Sequence, residues 1–207
     1  MEGVFDKIYR TNEWNDGSGQ GSVIKHVRGY ARFLERFVHE RGVRSVVDMG
    51  CGDWQFSRTI DWGGANYHGF DVVASVIEQN QREYAREGVR FSHYSGDAAE
   101  LPTADLLIVK DVLQHLSNEQ VHGVLPHLGR YRWALLTNCV DPRGETVNGD
   151  TEDGGFRYLD LRRAPFHLDA EEVYEFSKRM FPLRRLVQRP RWRKRVLLAE
   201  NAGAEAA

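Results

Sequence analysis

The chain has 207 residues, 41% of them hydrophobic and 28% charged, a composition that fits a folded globular domain and excludes a disordered or fibrous chain. Its 28 Lys and Arg are balanced by 30 Asp and Glu, so a net charge of −2 speaks against general binding to a nucleic-acid backbone. Only two cysteines occur, Cys51 and Cys139, outside any CxxC pair, and the N-terminus has neither a signal-peptide core nor a membrane-crossing apolar run. The expectation is a single cytoplasmic domain spanning residues 1–207, with no disulfide framework, zinc site or membrane partner.

In chain order, "IYRTNEWNDGSGQGS" joins Tyr9 and Trp14 to a glycine segment and reads either as a lid or as a disordered tail. From residue 22 to 40, Val23, Val27, Tyr30, Ala31, Leu34, Phe37 and Val38 recur at helical spacing, and Gly42 stands where a helix ends. "VRSVVDMG" reads as a strand buried on both faces, followed at once by a glycine turn and a short helix over 55–60. The strands "NYHGFD", "VRFSHYS", "ADLLIVKD" and "RWALLTN" alternate with the helices "VASVIEQNQREYAREG" and "SNEQVHGVLPHL". This alternation predicts right-handed crossovers and a doubly wound parallel sheet.

Beyond residue 138 the pattern changes. Residues 139–168 read as a long connection with a short strand at "FRYLDL". "DAEEVYEFSKRMF" reads as a helix capped by Asp169, and "LRRLVQ" and "RKRVLLAE" as a hairpin around "RPRW".

The turn "VVDMGCGDW" sets the chemistry. A dinucleotide site uses G-x-G-x-x-G, whose glycines admit a pyrophosphate to a helix N-terminus. Here Gly50 and Gly52 are present but the third position is Gln55, and Asp48 and Asp53 flank the turn where they would repel a pyrophosphate. S-adenosyl-L-methionine, with an ammonium, a sulfonium and no phosphate, suits these acids. Asp71 ends the second strand about 20 residues on, at the spacing that reaches ribose hydroxyls, and Asp97 in "SGDAAEL" follows the third strand.

With three acids at three successive strand ends, the chain resembles the class I S-adenosylmethionine-dependent methyltransferases over roughly residues 44–138. The resemblance rests on "VVDMGCGDW", "GFDVV", "GDAAEL" and "LLIVKDVLQHLS". It implies a mostly parallel seven-stranded Rossmann-like sheet whose last two strands form the antiparallel C-terminal hairpin. It also implies that Asp48, Gly50, Gly52 and Asp53 line the methionine end of the donor, Asp71 the ribose, and Asp97 with Ala98 the adenine. Cys51, Trp54, Val72 and Lys110 complete the donor set, and Val112 and Leu113 lie on the stretch that backs the methyl group. S-adenosyl-L-homocysteine is the product so implied. No set of metal-binding acids follows the fourth strand, so no metal is expected.

On the acceptor side, "KDVLQHL" supplies Asp111 and His115 as the catalytic candidates. His115 is the best single base because its free pKa lies near neutrality, although a histidine there also serves as a satisfied helix-start residue. Tyr9, Trp14, Asn138 and Arg157 are the substrate-binding candidates. The acids between Asp141 and Asp153 read as a solvated loop or as a substrate grip. "KDVL" stands where "NPPY" or "DPPY" would mark methylation of a planar amine on a base or amide. The expected function is transfer of a methyl group to an oxygen or nitrogen of a small molecule. RNA or protein methylation, supported by the arginine-rich "RPRWRKR" alone, and a catalytically silent donor-binding module are the alternatives; no oligomeric state is implied.

Overall fold

The computed structural model describes residues 2–14, 17–19, 21–177, 192–201 and 203. Among them the strands are β1 (Ser45–Met49), β2 (Asn66–Asp71), β3 (Val89–His93), β4 (Ala104–Lys110), β5 (Tyr131–Val140), β6 (Glu171–Ser177) and β7 (Arg193–Glu200). The helices are α1 (Glu2–Thr11), α2 (Ile24–Arg41), α3 (Ala74–Tyr84) and α4 (Asn118–Val124). One sheet holds all seven strands in the order β3-β2-β1-β4-β5-β7-β6. The pairs β3-β2, β2-β1, β1-β4 and β4-β5 are parallel; β5-β7 and β7-β6 are antiparallel. The order reverses between β1 and β4, and an open α/β sheet binds its ligand outside the strand C-termini at such a reversal.

The parallel strands are nearly continuous apolar runs because each face of the sheet is covered. Val46, Leu106, Ile108, Trp133 and Leu135 join the α2 residues Val27, Tyr30 and Leu34 on one face. Val47, Met49, Leu107, Val109 and Leu136 face the other cluster. Each such aliphatic side chain contributes about 1.5–3 kcal/mol by leaving water. Helix α2 stops where Gly42 takes φ +61° and returns its N–H to the carbonyl of His39.

The structure departs from the sequence reading at several places. Residues 171–177, expected in a helix, form the edge strand β6, with a register shift between Glu172 and Tyr174. Its Val173, Tyr174 and Phe176 pack against the α2 side of the sheet, so tertiary pairing with β7 overrides the acidic, helix-like start. The antiparallel C-terminal pair is therefore β6 with β7; "LRRLVQ" and residues 189–191 lie outside the described residues. "FRYLDL" is not a strand, although Leu159 N donates to the Cys139 carbonyl at 2.8 Å. The short helix after the glycine turn shrinks to one 3₁₀ turn, Ser57–Thr59, and α4 continues as a 3₁₀ stretch, Leu125–Arg130. The N-terminal segment carries a helix, α1, whose Phe5 and Ile8 are buried in the core, where the sequence offered no core layer.

Candidate active site

The glycine turn is shaped by close approach. Gly50 (φ +74°) and Gly52 (φ +56°) lie in the left-handed region, and a Cβ on either would collide, with Val112 Cγ2 and with Ser18 Oγ respectively. Gly50 N and Cys51 N both donate to the Phe70 carbonyl, at 2.8 and 2.9 Å, which folds the turn over the end of β2. Asp71, at that end, accepts from Gly52 N through Oδ2 and from Val73 N through Oδ1, both at 3.0 Å. Asp48 accepts from the Tyr67 hydroxyl at 2.5 Å. Burial pushes both carboxyls up to about 6, against the hydrogen bonds that favour their ionised forms.

Asp53 is turned to the N-terminal segment instead. Its Oδ2 accepts from Ser18 N (3.1 Å) and Gln55 Nε2 (2.6 Å), while Asp53 N donates to Ser18 Oγ (2.9 Å). Ser18 Oγ also lies 2.8 Å from the Tyr9 hydroxyl. The segment after α1 is thereby tied to the glycine turn.

At the end of β4 the backbone is strained. Asp111 has φ +60°, uncommon for a residue with a side chain. Its Oδ2 accepts from Lys110 Nζ (2.6 Å) and from Lys194 Nζ of β7, while its buried Oδ1 has no partner among the described residues. Burial would raise this carboxyl, but the two lysines hold it down at about 2. Lys110 also donates to the Gly21 carbonyl (2.8 Å) and lies 4.9 Å from the Phe56 ring centroid; burial pulls its pKa down. Lys194 entered the sequence reading only within "RPRWRKR" and "RKRVLLAE", because nothing near it in the chain hints at a carboxylate partner.

His115 is half-buried beneath Trp14, the ring centroids 4.9 Å apart. Its Nδ1 donates to the Gly155 carbonyl at 2.7 Å, which leaves Nε2 as the acceptor, 3.2 Å from Gln114 Nε2. Gln114 is fixed in turn by accepting from Cys139 N at 2.7 Å. Burial lowers the His115 pKa, so the ring is neutral at pH 7.

Two cavities meet here. The first lies over the glycine turn and is partly open to solvent. Asp48, Gly50, Cys51, Gly52, Asp71, Val72, Lys110 and Val112 line it, roofed by Phe5, Tyr9 and Trp14 and closed at the β3 end by Tyr94. The second lies beyond Asp111 and His115 and is lined by Trp14, Phe156, Tyr158, Trp192 and Lys194.

Other expected residues stand elsewhere. Trp54 is 1% exposed among Tyr67, Tyr84 and Phe91 in the core of the α2 face. Asp97 is exposed and caps a 3₁₀ turn by accepting from Ala99 N at 2.8 Å, and Ala98 packs in the core. Asn138 is buried, its Oδ1 has no partner among the described residues, and it lines neither cavity. Arg157 donates to the carbonyls of Gly149 and Leu116, both at 2.7 Å, and to Asn118 Oδ1, so it anchors the connection to α4. The acid run is likewise consumed locally: Asp141 pairs with Arg143, Glu145 with Arg163, and Asp150 accepts from Asn118 N. Tyr94, missed in the sequence, is signalled there by an aromatic directly after the third strand.

Residues 46–131 match the family model described as "Methyltransferase domain". Over that segment the chain is similar to methyltransferase domains. The fold of the chain is that of magnesium protoporphyrin IX methyltransferase (ChlM) from Synechocystis PCC 6803 with bound S-adenosylhomocysteine. That structure aligns at TM-score 0.66 and 17% identity over 98% of this chain and 100% of the other. Human N-acetylserotonin methyltransferase with S-adenosylmethionine aligns at 0.56 and 14%, over 84% of this chain and 52% of the other. TehB from Haemophilus influenzae aligns at 0.57 and 13%, over 87% and 67%. Identities this low carry the fold alone. No curated protein matches the chain by sequence.

The residues present fit the methyl donor. Asp71 keeps acceptor capacity after its two backbone hydrogen bonds, and Asp48 and Asp71 line the first cavity together with the rings of Phe5, Tyr9 and Trp14. Among the described residues, no group of three or more His, Cys, Asp or Glu is placed to hold a metal ion, and no helix is long and apolar enough to cross a membrane.

Proposed function

We propose that residues 1–207 act as one catalytic domain that moves the methyl group of S-adenosyl-L-methionine to a small-molecule acceptor by in-line displacement. The observation that carries this reading is the meeting of two cavities at Asp111 and His115, one bounded by the glycine turn and Asp71, the other by aromatic rings. S-adenosylmethionine, when bound, supplies an electrophilic methyl carbon on a sulfonium, and the protein's task is chiefly positioning. Asp71 binds the ribose hydroxyls, Asp48 and Lys110 face the methionine end, and Val112 backs the methyl group. His115 Nε2 is the available proton acceptor for a hydroxyl nucleophile once it exchanges Gln114 for the acceptor.

The roof formed by α1 favours a small acceptor. Phe5, Tyr9 and Trp14 close over the donor cavity, and Ser18 and Asp53 hold them there, leaving the second cavity as the approach. Two proteins of this fold, magnesium protoporphyrin IX methyltransferase and N-acetylserotonin methyltransferase, are named for small-molecule acceptors, which supports the same class here. The test is mass spectrometry of a metabolite pool incubated with the protein and donor labelled in the methyl group. The expected result is label in one or a few low-molecular-weight compounds. Label confined to protein or RNA would overturn the reading.

A further inference from the structure

The second cavity restricts what its occupant can be. Its walls are Trp14, Phe156, Tyr158 and Trp192, and Phe156 at its mouth is 55% exposed with its ring 5.5 Å from that of Tyr158. Exposed aromatic rings converging on a concavity favour a flat apolar partner. The floor is charged. Lys194 is 4% exposed, and among the described residues Asp111 Oδ2 is the one acceptor its ammonium reaches. An ammonium carries three donors, so two remain for a ligand. Among the described residues Asp111 is the one carboxylate lining this cavity, and Lys110 and Lys194 share it. A cationic amine would therefore be repelled at the floor, whereas an oxyanion would be held.

We infer that the acceptor is an aromatic hydroxyl compound whose oxygen docks on the Lys194 ammonium and is methylated as its phenolate. The inference rests on the small-molecule reading above and narrows it to oxygen. The proton of the hydroxyl passes to His115 Nε2, the one unprotonated ring nitrogen, and from there to water. The phenolate oxygen forms a bond to the methyl carbon as the carbon–sulfur bond breaks, and its electron pair goes to sulfur, leaving a neutral thioether. Lys194 contributes by favouring the ionised acceptor. A free phenol ionises near pH 10, and an opposite charge within hydrogen-bond reach lowers that by about 1–3.

The experiment uses the full chain with S-adenosylhomocysteine and 4-nitrophenol, whose phenolate is read by its absorption. Binding of the product by calorimetry comes first. If it fails, the donor site and with it the methyltransferase reading fall, an outcome distinct from failure at the acceptor. With product bound, nitrophenol held by the protein should ionise at a pH about 1–3 below that of free nitrophenol. Lys194→Arg should keep that shift and Lys194→Met should abolish it. With labelled donor, simple phenols should be methylated and benzylamine should not, and the loss in Lys194→Met should shrink as the phenol becomes more acidic. An unshifted bound nitrophenol overturns the inference even if no variant folds. So does a failure of any phenol to bind, or transfer to benzylamine or benzoate in place of phenols.

Discussion

Asp111 and Lys194 stand 83 residues apart in the chain and meet as an ion pair at the junction of the two cavities. One comes from the strained end of β4, the other from β7, so closure of the antiparallel end of the sheet completes the site. A buried carboxylate shared by two ammonium groups is costly to remove, because its loss leaves like charges facing each other in low dielectric.

Asp111→Asn should therefore destabilise the protein by about 3–5 kcal/mol, measured by chemical denaturation. The pH dependence carries the same signature. The folded carboxyl titrates at about 2, below its ordinary value near 3.8, so its contribution is fully present above pH 4 and is lost as pH falls towards 2. Melting curves of wild type and Asp111→Asn should converge in that window.

Asp71 and Asp48 act with the opposite sign. Burial raises both to about 6, so the fold binds more protons than the unfolded chain between pH 4 and 6, and these two acids lower stability as pH rises through that range. The donor wants them ionised. Its affinity should fall between pH 7 and 5, and Asp71→Ala should weaken binding by about 1.5–3 kcal/mol with a flatter pH profile, as calorimetry at constant ionic strength would read.

His115→Ala should lower turnover by about 100-fold or more while leaving donor affinity nearly unchanged. Gln114→Ala frees Nε2 and should change turnover far less. If His115→Ala turns over normally at saturating substrates, the ring only holds the Gly155 carbonyl and Trp14 in place.

The sequence exposed the parallel half of the fold because strands covered on both faces must be apolar throughout, as in "VVDM" and "ADLLIVK", and because a glycine turn follows at a fixed place. It misled at β6. "DAEEVYEFS" carries a cap and early acids that favour a helix in isolation, and only its partner β7 and the α2 aromatics Tyr30 and Phe33 make it a strand. The glycine turn and the strand end beside it were legible because their members are local in sequence, as with Gly50, Gly52 and Asp71. Lys194 was not, since its role exists only through pairing with Asp111, and Trp54 and Asp97 sit beside the motif while their side chains turn to the core and to a cap.

Helix α1 and the residues after it cover the donor cavity through Phe5, Tyr9 and Trp14. Hydrogen exchange should show amides from Tyr9 to Trp14 and from Gly17 to Gly19 becoming protected when S-adenosylhomocysteine binds. Equal exchange with and without ligand would make the segment an ordinary packed terminus and remove Tyr9 and Trp14 from the site. Ser18→Ala, which cuts the tie to Asp53 and Tyr9, should speed exchange in the same amides.

The most direct measurement is isothermal calorimetry of the purified full chain with S-adenosylmethionine, S-adenosylhomocysteine and NAD in parallel. The acids at Asp48 and Asp71, the turn at Gly50 and Gly52, and the absence of a third glycine at Gln55 predict that the first two ligands bind and NAD does not. Binding of NAD, with no heat from either sulfur ligand, would contradict the account.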